Sequence, residues 1–201
     1  MTTILLDTNA YLRLAKRIRP LLGVKFNPAK QYVLIVLPDV EKEVTRNREL
    51  AFRYPWFEAD DHRNERRSNT VRLSADEKRQ VLKDQRFILN LSRANATDLM
   101  RLGRDPPGIT DCYVLAVAML RSWWVATDDE GMHQVGQDFD VTTIYCFEVL
   151  HKLMCAGMVD KAKVAEIYAA LDANDDLTAK WTGAKANLFK AVFGKGRIKY
   201  P

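Results

Sequence analysis

The chain has 201 residues, a hydrophobic content of 47% and a formal net charge of +5, from 31 Lys and Arg against 26 Asp and Glu. This length and composition support one domain with a full core and an appended helical part. No apolar run approaches the roughly 20 residues that a membrane span needs, which excludes an integral membrane protein.

The cysteines and the N-terminus predict the compartment. Cys112, Cys146 and Cys155 are odd in number and lie in apolar surroundings, so we expect reduced core thiols in a cytoplasmic protein without a zinc site. The N-terminus has no basic region followed by an apolar segment and a cleavage site, so no signal peptide is expected. The positive charge suits a polyanionic substrate, and ordinary solubility charge explains it equally well.

The first predicted element is a strand at residues 4–6, followed directly by Asp7-Thr8-Asn9. A continuous apolar run is typical of a strand buried on both faces of a parallel sheet. A carboxylate inside such a sheet would be strongly desolvated, so we expect Asp7 just past the strand, where ligands bind in open α/β sheets.

A helix, a strand and a second helix come next. Apolar residues at helical spacing predict a helix from Tyr11 to Leu22, closed by Pro20 and Gly23. Residues 32–37 predict a second buried strand. A helix then opens at Pro38, with Glu43 in its first turn and an apolar face of Val40, Val44, Ala51 and Tyr54. The helical crossover makes the two strands parallel.

Residues 55–73 are rich in charge and poor in apolar side chains, which predicts an exposed loop or insertion. Its Arg63, Arg66 and Arg67 are candidate RNA-binding residues. A solvated charged loop is the alternative, and the composition favours it.

The second half of the domain begins with a capping box, Ser74 to Glu77, which starts a helix. A short helix ending at Gly103 follows. Thr110-Asp111 then leads into a helix at 112–120 that is apolar nearly all round and therefore buried. Strands are predicted at 123–127 and 141–145, and the first of them ends in Asp128-Asp129. Residues 147–193 read as helical, and the tail 194–201 as basic and mobile.

Strand ends and helix starts share one edge of a parallel α/β sheet, so Asp7, Glu43, Asp111 and Asp129 are expected to converge there. Two carboxylates roughly 5 Å apart repel by about 3 kcal/mol at an effective dielectric of 20. Protonation or a bound cation must offset that repulsion. An all-oxygen site without His or Cys favours Mg²⁺ or Mn²⁺, which activate water for phosphoryl displacement.

These segments, in this order, resemble the PIN domain. The resemblance rests on the runs 4–9, 40–44, 110–111 before an Ala-rich helix, and 125–129, and it covers roughly residues 1–146. It implies a three-layer α/β/α fold with a central parallel sheet, and residues 147–201 form a helical C-terminal extension packed on it, with a basic tail. It also implies Mg²⁺ or Mn²⁺ on the four acids, with Asp128 as an outer-shell or substitute ligand. Asn9 and Thr127 would orient the acids through hydrogen bonds.

The function predicted from the sequence is a metal-dependent endoribonuclease, for which the family also implies a toxin role and an antitoxin protein partner. A non-catalytic PIN-type module that binds RNA or protein is the alternative, and a phosphatase or DNA nuclease is a third. For Asp111 or Glu43 alone, a helix-capping acid is an equally good interpretation. For residues 55–57, Met154 and Trp181, a homodimer or partner surface and core packing are equally good interpretations.

Overall fold

The computed structural model describes residues 1–27 and 29–194, which form a three-layer α/β/α fold around a five-stranded sheet. The strands are β1 (Thr2–Leu6), β2 (Lys25–Phe26), β3 (Tyr32–Val36), β4 (Trp124–Ala126) and β5 (Thr143–Ile144). Their order is β2-β3-β1-β4-β5, and all neighbours are parallel except β2 and β3. The four predicted strands are therefore confirmed as a parallel sheet. The antiparallel edge strand β2 was not predicted, because two residues are too few to show a periodicity.

Twelve α-helices surround the sheet within the described residues; six of them lie between β3 and β4, and four follow β5. They are α1 (Thr8–Ala15), α2 (Pro38–Arg46), α3 (Arg48–Arg53), α4 (Asp60–Ser68), α5 (Ala75–Ala94), α6 (Ala96–Arg101), α7 (Ile109–Arg121), α8 (Glu130–Asp138), α9 (Cys146–Cys155), α10 (Lys161–Ala173), α11 (Ala179–Asn187) and α12 (Lys190–Phe193). A 3-10 turn, Pro55–Glu58, precedes α4. The capping box of Ser74 and Glu77 starts α5 as predicted.

The side chains of β1 point alternately to the two faces of the sheet, which explains why the sheet needs helices on both faces. Ile4 and Leu6 point into one core, which α1, α2 and the C-terminal helices cover, while Leu5 points into a second core made with α5, α7 and α8. Successive side chains of a strand face opposite sides. All three residues are fully buried, as the continuous apolar run predicts.

The first helix is shorter than predicted. It ends at Ala15 rather than near Pro20, and Leu21 and Leu22 are nevertheless buried. Proline disfavours helical backbone at the residue before it, which prevents the helix from continuing through Arg19. The amides of Leu21 and Leu22 both donate to Glu65 Oε1 at 2.6 Å, which fixes the irregular segment onto α4.

The helix after β3 is divided in two. Asn47 has extended backbone, ends α2 and caps α3 by accepting hydrogen bonds from the amides of Glu49 and Leu50. A side chain that caps a new helix competes with continuation of the old one. The prediction of one continuous helix was therefore wrong.

The prediction of an exposed loop at 55–73 was also wrong. The segment contains the 3-10 turn and α4, and it buries Phe57, His62 and Arg66. Charge dominates the sequence because the outward face of α4 is solvated, while His62 and Arg66 on its inner face pack against Trp56 and Phe57 of the 3-10 turn.

The C-terminal helices share the core of the sheet's first face. Trp181 and Phe189 are fully buried in the same cluster as Ile4 and Leu6. Phe57 is also buried, so core packing, and not an exposed partner surface, accounts for it and for Trp181. No helix in the described ranges is long and apolar enough to cross a membrane. The tail predicted to be mobile, 194–201, lies outside the described residues except for Gly194.

Of the three cysteines, Cys112 and Cys146 are buried free thiols, as predicted. Cys155 is exposed on α9, so the expectation of a core thiol was wrong there. An apolar flank in the sequence does not specify which side of an amphipathic helix a residue occupies.

Candidate active site

Asp7 lies at the carboxyl end of β1 and caps α1. Its Oδ1 accepts a hydrogen bond from the amide of Ala10 at 2.5 Å, and its own amide donates to the carbonyl of Ala126 on β4. The side chain is buried, with 3% of the residue exposed. Burial, with smaller contributions from the charges of Asp111 and Asp128, raises the pKa of Asp7 to about 7, against hydrogen bonds from Thr127 and Ala10 that lower it.

Asp111 lies in the first turn of α7. Its Oδ2 accepts a hydrogen bond from the amide of Gly108 at 2.8 Å, which closes the start of the helix. Burial raises the pKa of Asp111 to about 6, the Gly108 amide opposes this, and the charges of Asp129 and Glu43 add to it. The capping role considered from the sequence is therefore real, and it coexists with repulsion from two other acids.

Glu43 approaches from α2. Because α2 begins at Pro38, Glu43 lies in the second turn and not in the first turn as predicted. Its Oε2 accepts a hydrogen bond from the hydroxyl of Thr8 at 2.6 Å, which links α2 to the residue after Asp7. Glu41, two positions earlier on this helix, points instead toward Arg66, with its Oε1 3.7 Å from Arg66 Nη2.

Asp129 caps α8. Its Oδ1 accepts from the amide of Met132 at 2.8 Å, and its amide donates to Thr127 Oγ1 at 3.0 Å. The loop is closely packed at Gly131, where a Cβ atom would lie 2.0 Å from the carbonyl oxygen of Asp105. A side chain at Gly131 would therefore displace the loop that carries Asp129.

The four acids are neighbours in pairs. The charges of Glu43 and Asp129 raise the pKa of Asp111, and the charge of Asp111 raises the pKa of Asp7. Glu43 is not among the charges that raise the pKa of Asp7. As the side chains stand, no group of three or more His, Cys, Asp or Glu within residues 1–27 and 29–194 could hold a metal ion. The donor chemistry nonetheless fits a hard cation, because all four are carboxylates.

Hydrogen bonds orient three of these carboxylates through one oxygen only. Glu43, Asp111 and Asp129 each use one oxygen in the bonds given above. Among the described residues no hydrogen bond is formed to the second oxygen of any of the three. Each therefore presents an oxygen that an added ligand could use.

Asp128 serves a different purpose. Its Oδ1 accepts from the amide of Cys146 at 3.0 Å, and its Oδ2 accepts from the indole Nε1 of Trp181 at 2.8 Å and from the Arg13 guanidinium. Both oxygens of the carboxylate are therefore already engaged by donors of the chain. This geometry argues against Asp128 as an outer-shell or substitute metal ligand and for a structural role.

Of the two residues expected to orient the acids through hydrogen bonds, Thr127 contacts them and Asn9 does not. Thr127 is fully buried, lies beside Asp7 and accepts from the Asp129 amide, so it contacts two of the four acids. Asn9 is exposed, and its side chain makes no hydrogen bond with any residue that the structure describes.

The predicted RNA-binding arginines do not form one surface. Arg66 is buried, with its guanidinium carbon 3.6 Å from the centre of the Phe57 ring and Nη1 donating to the Phe57 carbonyl, so its assignment to RNA was wrong. Arg63 pairs with Glu58 and Asp60. Arg67 is exposed. The sequence of a highly charged helix does not show which of its cations faces the core.

A groove beside Glu43, lined by α2, α5 and α7, was missed from the sequence. We call it the α2–α5–α7 groove; its cations are Lys42, Arg46 and Lys78, and its aromatic wall is Tyr113. The spacing of Lys42 and Arg46 around Glu43 on one helix was the available signal. Lys78 reaches the groove only through the packing of α5, and no local sequence pattern predicts that packing.

No protein-family model and no curated protein sequence matches the chain. Solved structures do match it. One is the structure of FitAB bound to an IR36 DNA fragment, with 16% identity and a TM-score of 0.43 over 72% of this chain and 95% of that chain. Another is FitAcB from Neisseria gonorrhoeae, with 14% identity and a TM-score of 0.39 over 72% of this chain and 98% of that chain.

Proposed function

We propose that this protein is a metal-dependent nuclease that hydrolyses RNA phosphodiester bonds. The observation that carries the proposal is the set of acids at this sheet edge: Asp7 is buried, Asp111 is half-buried, and repulsion from neighbouring carboxylates adds to the burial that raises their pKa values to about 7 and about 6. A fold whose whole stability is roughly 5–15 kcal/mol does not gain from such repulsion. A bound divalent cation offsets it, which is the usual reason for gathering carboxylates at a sheet edge.

Asp7, Glu43, Asp111 and Asp129 would hold Mg²⁺ or Mn²⁺, since carboxylate oxygens suit both ions. The ion would supply an activated water and charge stabilisation at the scissile phosphate. Because no three of the acids are close enough as they stand, binding requires side-chain rearrangement at this edge. The oxygens of Glu43, Asp111 and Asp129 without donors are the ones available for it.

The chain's own residues contribute orientation. The amides of Ala10, Gly108 and Met132 each fix one carboxylate oxygen, so Asp7, Asp111 and Asp129 are positioned by backbone. The Thr8 hydroxyl does the same for Glu43. Fixed backbone dipoles cost no reorganisation during a reaction, which is the basis of preorganised catalysis.

RNA as the substrate, a toxin role and an antitoxin protein partner are supported by the order of the sequence segments that resemble the PIN domain. The spacing of the acids favours a second candidate, a non-catalytic module that binds RNA or protein, because such a module would not need a complete metal site.

Cleavage of labelled single-stranded RNA and DNA pools by wild type and Asp7→Asn, with Mn²⁺, Mg²⁺ or EDTA, tests the proposal. We expect metal-dependent cutting of RNA by wild type and none by the variant. Asn accepts the Ala10 amide hydrogen bond as Asp does, so the variant keeps its helix cap. Equal activity of the two proteins, or none from folded wild type, contradicts the proposal, and the latter result favours the binding module.

A further inference from the structure

The α2–α5–α7 groove has a volume of about 760 Å³. Glu43 and Thr110 line it, so the groove reaches one of the four acids and the residue that precedes another, Asp111. A second cavity of about 390 Å³ continues it toward Leu37 and Arg72. The two cavities share Asp39, Lys42, Lys78 and Tyr113.

The groove is lined by the carboxylates of Asp39 and Glu43 and by exposed cations, most of which form no ion pair. Lys42 pairs with Asp39 at 2.9 Å. For Arg46, Lys78 and Arg72, no carboxylate lies within salt-bridge distance in the part of the chain that the structure describes. Unpaired cations spaced along a groove suit the phosphates of a nucleic acid backbone.

The wall between the two cavities carries an aromatic ring. Tyr113 is half-buried, packs on the second core and stacks on no other aromatic ring among the described residues. Leu82 and Ile109, which line the same groove, are 47% and 60% exposed. An apolar wall with one open ring suits an unstacked base, and duplexes keep their base faces covered.

We infer that this groove binds a single-stranded nucleic acid, with phosphates on Arg46 and Lys78 and a base against Tyr113. The inference rests on the proposed function for what happens at the carboxylate end, but binding itself requires no cleavage. The strand would enter past Arg72 and reach the acids at Glu43.

The test measures binding of a labelled RNA oligonucleotide of about twelve nucleotides to Asp7→Asn protein in EDTA, where cleavage is absent. Onto this background we place Arg46→Ala with Lys78→Ala, and as a matched control Lys161→Ala with Lys190→Ala, which removes two exposed cations from α10 and α12. Thermal melts check that both doubles fold.

We expect the groove double to bind roughly tenfold more weakly at physiological salt and to lower the slope of log K against log salt by about 1.4, while the control changes neither. Tyr113→Ala should weaken binding about fivefold or more, and Tyr113→Phe should not. Equal losses in the two doubles, equal binding of a duplex of the same sequence, or no binding at all overturns the inference.

The same set of proteins separates this inference from the proposed function. If the groove variants behave as expected while wild type cuts neither RNA nor DNA, the groove assignment stands and the nuclease proposal fails. If wild type cuts RNA while the groove double binds like the control, the nuclease proposal stands and the groove assignment fails.

Discussion

The indole Nε1 of Trp181 donates a hydrogen bond to Oδ2 of Asp128 at 2.8 Å, across 53 positions of sequence. Asp128 lies between Thr127 and Asp129, both of which contact the candidate site. The C-terminal helices therefore hold the loop that carries one of the four acids. The extension acts as part of the site's support, in addition to covering the sheet.

Trp181→Phe should lower the free energy of unfolding by roughly 1.5–3 kcal/mol, the usual contribution of a hydrogen bond to a charged group. The phenyl ring keeps contacts of the kind that Trp181 makes with Phe147 and Tyr168. Urea unfolding measures the change. Trp56→Phe is the matched control, because the Trp56 indole nitrogen is buried without a hydrogen-bond partner among the described residues. An equal loss in the two variants would mean that ring volume, and not the Asp128 bond, is responsible.

Asp7→Asn should stabilise the metal-free protein, and the gain should grow with pH. The unfolded chain loses the Asp7 proton near pH 3.8, whereas the folded chain holds it to about pH 7. Wild type is therefore progressively destabilised between these values relative to the variant, by up to roughly 4 kcal/mol above pH 7, and not at all below pH 3.8.

Urea unfolding in EDTA at several pH values between 4 and 8 measures this difference. Asp160→Asn controls for the exchange of one helix cap for another, since Asp160 caps α10 from an exposed position. A gain in Asp7→Asn that is the same at pH 4 and pH 8 would show that burial of the charge is not its cause.

Metal binding should be linked to protons at the same acids. Ligation requires deprotonated carboxylates, so Mn²⁺ affinity should rise with pH through the pKa of Asp111, about 6, and that of Asp7, about 7, and level off only above both. Calorimetric titration of wild type in two buffers of different ionisation enthalpy, at pH 6 and pH 8, gives the proton release directly. Release at pH 6 should exceed release at pH 8, and Asp7→Asn should abolish most of the excess. Equal release at the two pH values would exclude Asp7 as a ligand.

The sequence predicted the sheet and the edge where the acids lie, because buried strands leave an unbroken apolar run and parallel topology fixes which ends coincide. It did not predict that Arg66 is buried or that Asp128 has a structural role. Arg66 lies in a charged run, and only the packing of Phe57 beneath it shows that it faces inward. Asp128 and Asp129 are adjacent acids after one strand, and the choice between them depends on Trp181, a residue too distant for any local pattern.

Arg66→Ala should destabilise the fold by about 2 kcal/mol or more, because it removes a desolvated cation–π contact with Phe57 and a hydrogen bond to the Phe57 carbonyl. Arg67→Ala, one position later on the exposed side of α4, should change stability by less than about 0.5 kcal/mol. Urea unfolding compares the two variants. Equal, small effects would place the Arg66 side chain on the surface and return it to the candidates for RNA contact.

Gly131→Ala should impair the site more than it impairs the fold. The added Cβ would lie 2.0 Å from the Asp105 carbonyl oxygen, and backbone cannot yield as a flexible side chain can. The α8 start must shift, and with it the Met132 amide that orients Asp129. We expect weaker Mn²⁺ binding and a lower midpoint of unfolding, because a forced backbone shift costs typically 1–3 kcal/mol.

Gly183→Ala on α11 is the matched control, since nothing lies within 4 Å of its Cβ and alanine favours the helix. Calorimetric titration and urea unfolding of both variants provide the two readouts. Unchanged Mn²⁺ affinity in destabilised Gly131→Ala would separate the α8 start from the metal site and leave Asp129 without a part in it.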